Sequence, residues 1–308
     1  MKGMEKRDLL SMSDISPREL LDTIKLIGEI KAHPERYRGR LDGKIMVMIF
    51  EKPSTRTRVS FESAIIQLGG HAINISRNTS QLERGETVAD SAKVLERYAS
   101  AIVARVNFHE TLVELAANSR VPVINGLSDR EHPCQIISDL FTIHEVAGTF
   151  KGVKVAYVGD GNNVCNSLLL GCAMAGVSLA VSSPDGYLPE KGIVDRAKKI
   201  AKSGGAKIEV GSDPLHAAKD ADFIYTDVWI SMGQEDDEDK RMDAFQDYQV
   251  NGKLLGKAGK DVKVMHCLPA HRGLEITGEV LDGESSIVWD QAENRLHAQK
   301  AILLNLLL

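Results

Sequence analysis

The sequence predicts an α/β protein of two doubly wound parallel-sheet domains, with the site in the cleft between them. Three observations carry this expectation. The chain has 308 residues, a length that suits two domains. Short runs that are apolar at nearly every position recur along it, as strands buried on both faces of a parallel sheet require. These runs alternate with longer stretches of helical periodicity, which is the pattern of βαβ units.

In chain order, the first half offers strands at KIMVMIF (44–50), HAINI (71–75), AIVARV (101–106) and VPVING (121–126). A helix should open at STRTR, run on Val59, Ala64, Ile65 and Leu68, and stop at Gly69-Gly70. Others are expected over 88–99 and from Cys134 to Val146. The second half offers strands at VKVAYVGD (153–160), SLAVSSP (178–184), AKIEVGS (206–212), DFIYTDV (222–228), DVKVMHCL (261–268) and SIVWD (286–290). The boundary falls near AGTFKG, giving domains 1–148 and 149–308. A last helix, about 291–308 and ending in AILLNLLL, is expected to pack back toward the first domain.

The totals exclude several classes. A net charge of -5 argues against a general nucleic-acid binder, because phosphate neutralisation needs a basic face. It leaves room for a local anion site. The start, MKGMEKRDLLSMSD, lacks the apolar core of a signal peptide. The longest apolar run, 168–181, is short for a membrane span and is broken by Gly171 and Gly176. A cytoplasmic protein that does not engage a membrane is the expectation. Cys134, Cys165, Cys172 and Cys267 form no C-x-x-C pair and read as reduced thiols. His132, Cys134, His266, Cys267 and His271 match no common zinc spacing, so no metal is expected.

Four clusters fall at the carboxyl ends of the expected strands, where open α/β sheets bind ligands. In FEKPSTRTR, Ser54, Thr55, Arg56, Thr57 and Arg58 open a helix, whose free N–H groups and dipole favour an anion. Ser54 could equally be an ordinary cap with the arginines in solvent. In EHPCQ, His132 and Gln135 stand one turn apart at a helix start, with Pro133 suited to the first helical position. They could polarise a carbonyl and hold an amide, or simply cap and face water. Asp227 in TDVWISMG could grip an ammonium group, or be a loop carboxylate satisfied by turn amides. Cys267 in MHCLPAHRG ends a strand, and free cysteines are more often buried and inert. The turn GDGNNV begins like a dinucleotide fingerprint, but Val164 stands where the third glycine belongs.

These clusters, in this order, resemble the carbamoyltransferase family. STRTR is similar to its phosphate loop and HPCQ to its H-P-x-Q motif. HCLPAHRG and DVWISMG resemble loops of the ornithine branch, and the resemblance spans essentially the whole chain. It implies transfer of a carbamoyl group from carbamoyl phosphate to the side-chain amine of L-ornithine, giving L-citrulline and phosphate, without metal or organic cofactor. On that resemblance Ser54, Thr55, Arg56 and Thr57 hold the phosphate, and Arg105 bridges phosphate and carbonyl oxygen. His132 bonds the carbonyl oxygen and Gln135 the carbamoyl NH2, with Cys267, Leu268 (through its carbonyl) and Arg295 completing that pocket. Asn163 and the Met232 backbone take the ornithine carboxylate, and Asp227 and Ser231 its α-ammonium. Arg105, His132, Asp227 and Cys267 are the expected catalytic residues. The resemblance also implies a homotrimer or a multiple of trimers, with Gln81 reaching a neighbouring subunit's site. Open alternatives are another amine acceptor (putrescine, N-acetylornithine or aspartate), a nicotinamide-dependent dehydrogenase, and a binding module without turnover.

Overall fold

The computed structural model describes residues 8–76, 85–230 and 237–308. The chain divides into two compact units, Met1–Phe141 with Arg295–Leu308, and Thr142–Asn294.

The first unit is built on four parallel strands: β1 (Ile45–Phe50), β2 (His71–Ser76), β3 (Ala101–Arg105) and β4 (Val123–Leu127), in the order β2-β1-β3-β4. Its helices are α1 (Pro17–Ala32), α2 (Thr55–Gln67), α3 (Val88–Leu95), α4 (His109–Ala117) and the start of α5 (Pro133–Ala147). Local chemistry sets the ends of these elements. α1 opens on a capping box, in which the Ser16 side chain accepts from Glu19 N–H and the Glu19 carboxylate accepts from Ser16 N–H. β1 and β3 are buried through almost their whole length, as their unbroken apolar sequences require. β2 differs: it is an edge strand, and four of its six residues are exposed.

The second unit carries five parallel strands: β5 (Lys154–Val158), β6 (Ser178–Ser182), β7 (Ile208–Gly211), β8 (Phe223–Thr226) and β9 (Lys263–His266), in the order β7-β6-β5-β8-β9. The helices are α6 (Asn163–Ala175), α7 (Lys191–Gly204), α8 (Pro214–Ala218), α9 (Glu238–Phe245), α10 (Gly252–Leu255), α11 (Gly278–Leu281) and α12 (Val288–Leu307). α6 is buried all round from Val164 to Ala175, and its residues there are apolar or small apart from Asn166 and Ser167. It ends on Gly176 at φ +76°, a left-handed cap open to glycine at little cost.

One expected strand is corrected. SIVWD contributes only a single bridge, Ser286 to Val264, and α12 begins at Val288. Val288, Gln291, Asn294, Arg295, Ala298, Ala301 and Ile302 are all buried, so the helical period continues back to Val288 and overrides the short β-branched run. The segment Arg295–Leu308 belongs to the first unit, where Asn305 Nδ2 donates to Thr23 Oγ1 at 2.9 Å.

Each sheet reverses direction once. In the first, the chain leaves β1 to one side for β2 and to the other for β3. In the second, the reversal lies between β5 and β8. A ligand-binding crevice forms at such a switch point, beyond the carboxyl ends of the strands.

Candidate active site

The first half-site lies at the β1/β3 switch. β1 ends at Phe50, paired with Arg105 at the end of β3. Ser54 occupies the N-cap position of α2, yet its side chain caps no helix N–H. It instead accepts from Arg105 Nη1 at 3.3 Å. Thr57, fully buried in the first turn, accepts from Arg295 Nη2 at 3.0 Å. Thr55 and Arg56 are exposed, and Arg58 faces Glu62 at 3.7 Å one turn along. Two guanidinium groups therefore bracket the positive end of a helix whose cap is not closed by its own side chain. That is an anion site in physical terms.

His132 is buried in the same unit. Burial, then the charges of Arg295 and Arg105, hold its pKa well below the usual imidazole value, so the ring is neutral at pH 7. Gln135 follows on the first turn of α5 and is buried. Its Nε2 donates to Asp139 Oδ1 at 2.9 Å, and its Oε1 has no hydrogen-bond partner among the described residues. A buried amide oxygen left this way is costly unless a ligand supplies a donor. Cys134, between them, donates to Asn125 O at 3.3 Å, and burial pushes its thiol up to about 12. It is an inert core thiol.

The second half-site lies at the β5/β8 switch. Asp227 follows β8 and is buried. Its Oδ2 accepts from Asn162 Nδ2 at 2.7 Å, and its Oδ1 from Val228 N–H at 2.8 Å and from the Cys267 thiol at 2.8 Å. Asn162 caps α6 with its Oδ1, which accepts from Val164 and Cys165 N–H. This fixes which end of its amide meets Asp227. Asn163 begins α6, and its Oδ1 accepts from Val164 N–H at 2.9 Å. Leu268 follows Cys267 at φ +58°, a left-handed conformation unusual for a branched side chain. Gln81, Ser231 and Met232 lie outside the described residues.

Two residues that sequence reasoning did not assign shape this half-site. Asn162 carried a weak signal as the first amide of the turn. Arg241, on α9, carried none: its Nη1 bonds Asp160 Oδ2 at 2.9 Å and Trp229 O at 2.8 Å, and its guanidinium stacks over Tyr187. Asp227, His266 and Cys267 offer metal-ligating atoms within 4.8 Å of one another. Both His266 nitrogens are already engaged, however, with Leu268 N–H and Glu275.

The glycine turn before α6 is closed to a dinucleotide. Gly161 N–H, which a phosphate would need, donates to Tyr187 O at 2.9 Å. Backbone atoms of 187–189 pack so near that a Cβ on Gly161 would meet Pro189 N at 2.2 Å.

Residues 7–145 match the carbamoyl-phosphate-binding domain of aspartate/ornithine carbamoyltransferases, and residues 151–306 match their aspartate/ornithine-binding domain. The chain belongs to the aspartate/ornithine carbamoyltransferase family. It is 54% identical over 305 residues to an ornithine carbamoyltransferase of Archaeoglobus fulgidus, covering 98% of this chain and 97% of that one. The ornithine carbamoyltransferase of Pyrococcus horikoshii is 52% identical over 310 residues, covering 99% and 97%. The solved structure of the Pyrococcus furiosus ornithine carbamoyltransferase superposes with a TM-score of 0.94 at 49% identity, over 98% of this chain and 97% of that one. Two parallel-sheet units flanked by helices are the architecture these carbamoyltransferases share with this chain. Among the described residues, no helix is long and apolar enough to cross a membrane.

Proposed function

We propose that this chain is an ornithine carbamoyltransferase, which moves the carbamoyl group of carbamoyl phosphate to the side-chain amine of L-ornithine and releases L-citrulline and phosphate. The observation that carries the choice of acceptor is the Asp227 carboxylate. It is buried and oriented by Asn162, Val228 and Cys267, in a chain of this family. A fixed carboxylate at a strand end suits a cationic amino acid.

In this reading the first unit holds carbamoyl phosphate. Ser54, Thr55, Arg56, Thr57 and Arg105 take the phosphate, and Arg295 adds charge through Thr57. His132, being neutral, donates to the carbonyl oxygen without placing a further cation beside two guanidiniums. The unpartnered Gln135 Oε1 accepts from the carbamoyl NH2. In the second unit Asp227 takes the α-ammonium and Asn163 the carboxylate of ornithine. Cys267 and the Leu268 carbonyl complete the carbamoyl contacts.

The neutral side-chain nitrogen attacks the carbonyl carbon, the bond from that carbon to the phosphate oxygen breaks, and phosphate leaves with the electron pair and takes up the proton the nitrogen sheds. Ornithine's side-chain amine resembles that of lysine, with a pKa of about 10.4, so only about one molecule in several thousand is neutral at pH 7. A carboxylate by itself favours the charged amine, so in this reading the ornithine side chain gives up a proton on binding, and the Asp227–Cys267 pair is the proposed acceptor. Charge developing on the carbonyl oxygen and the phosphate meets donors already in place, which is where most electrostatic catalysis arises. Arginine biosynthesis in the cytoplasm is the setting that fits this product. A homotrimer is proposed as the assembly. The edge strand β2, with Ile73 exposed, and the Val59 and Ile66 stripe of α2 support a covering copy.

The test is product formation from carbamoyl phosphate with L-ornithine, L-aspartate, putrescine and N-acetyl-L-ornithine as parallel acceptors. Turnover confined to ornithine, with phosphate released one for one, is expected. Turnover with another acceptor alone would overturn the role of Asp227, and no turnover with any would leave a binding protein.

A further inference from the structure

The loop after β9 is organised by a buried pair that the reaction scheme above does not use. The side chains of His266 and Glu275 are fully buried, and His266 Nε2 lies 3.0 Å from Glu275 Oε1. The other ring nitrogen, Nδ1, accepts from Leu268 N–H at 2.9 Å. A backbone amide can only donate, so Nδ1 carries no proton, and the ring presents its N–H from Nε2 to the carboxylate. Glu275 Oε1 also accepts from His271 N–H at 2.5 Å, and Gln291 Oε1 accepts from His266 N–H at 2.9 Å. The imidazole is thus fixed in position and in tautomer.

What it holds is the residue that most needs holding. Leu268 sits at φ +58°, which persists only where the surroundings determine it. Cys267, one residue earlier, donates its thiol to Asp227 Oδ1. If Leu268 relaxed to an extended or helical φ, the peptide between the two residues would rotate and carry the thiol off the carboxylate.

We propose that His266 is a positioning residue for carbamoyl transfer. Its tautomer is set by Glu275, and its Nδ1 keeps Leu268 left-handed and Cys267 on Asp227. The catalytic consequence rests on the reading in the preceding subsection; the geometric one does not.

The experiment compares H266N, H266Q, H266A and E275Q by two readouts. The first is kcat and KM for citrulline formation. The second is the rate of iodoacetamide alkylation at each cysteine, mapped by mass spectrometry. Cys267 is the one cysteine of the four that is not buried, so it reports on the loop, while Cys134, Cys165 and Cys172 report loss of fold. The amide oxygen of H266N can stand at Nδ1 and accept from Leu268, whereas H266Q reaches only toward Glu275. Loss of the Leu268 bond is expected to lower kcat about tenfold in H266Q and H266A. Cys267 alkylation should accelerate in both, with Cys134, Cys165 and Cys172 still protected. H266N, and E275Q whose amide oxygen still accepts from Nε2–H, should stay within about threefold of the parent. Equal impairment of H266N and H266Q, or an unchanged Cys267 rate in H266Q, would overturn the proposal. Should H266A lose its fold, the H266N and H266Q pair makes the same comparison. Should the parent not carbamoylate ornithine, the alkylation rates alone decide it.

Discussion

Two strand–turn–helix units of this chain look alike and are opposites. One runs from β1 through Ser54 into α2, the other from β5 through Asn162 into α6. Both place a polar residue at the N-cap after a parallel strand. In the second, Asn162 caps two helix N–H groups, Gly161 N–H is taken by Tyr187 O, and the backbone of 187–189 covers the turn. In the first, Ser54 turns away from the helix to Arg105. The dipole of α2 is therefore left to an outside anion, while that of α6 is met by its own cap, whose other end, Asn162 Nδ2, orients Asp227. The lesson is that a helix start after a strand is a phosphate site only when its own chain declines to fill it.

The largest break of this comparison is Arg105→Ala. It removes a guanidinium from the open turn, and kcat/KM for carbamoyl phosphate should fall by about a hundredfold to a thousandfold in a citrulline assay. Asp227→Asn comes next. It should lower kcat/KM for ornithine on the order of a hundredfold while carbamoyl phosphate still binds by calorimetry with its parental Kd. A paired test then separates the two caps. Asn162→Ala should cost about 1–2 kcal/mol in chemical denaturation, the usual loss for an N-cap, whereas Ser54→Ala should cost less than about 0.5 kcal/mol while still weakening carbamoyl phosphate binding. Equal costs would erase the distinction drawn between the turns.

The smallest effect is one of pH. Burial raises the Asp160 carboxyl to about 6, against the opposing charge of Arg241. Between the ordinary carboxyl range and that value the folded chain binds more protons than the unfolded one. Asp160 therefore makes stability fall as pH rises through this window and contributes no slope above it. The stability of the parent relative to Asp160→Asn should decline from about pH 4 to about pH 6 and then level off. A difference that rises with pH would contradict the direction of the shift.

Much of the fold was legible because parallel strands buried on both faces leave unbroken apolar runs. Nine of the ten expected strands occur, with ends shifted by a residue or two. SIVWD failed because four apolar or small residues cannot show a period, and only the following turns of α12 reveal the helix. The exposure of β2 was also hidden, since edge position depends on strand order and not on HAINI itself. Of the site, the motif residues could be located, but their settings could not. Whether Ser54 caps α2 depends on Arg105, 51 residues away, and the Asp160–Arg241 and Asp227–Asn162 bonds span 81 and 65 residues. His266 and Glu275 lie only nine apart, yet nothing in HCLPAHRGLE marks them as a pair.

The open edge at β2 has a consequence of another kind. Among the described residues no strand pairs with its outer side, so one row of peptide groups faces outward beside Ile73. Any copy that covers this edge binds the folded chain and not the unfolded one, and mass action then ties thermal stability to protein concentration. Tm should climb as the protein is concentrated and drift down on dilution, which would make resistance to heat a collective property rather than that of a single chain.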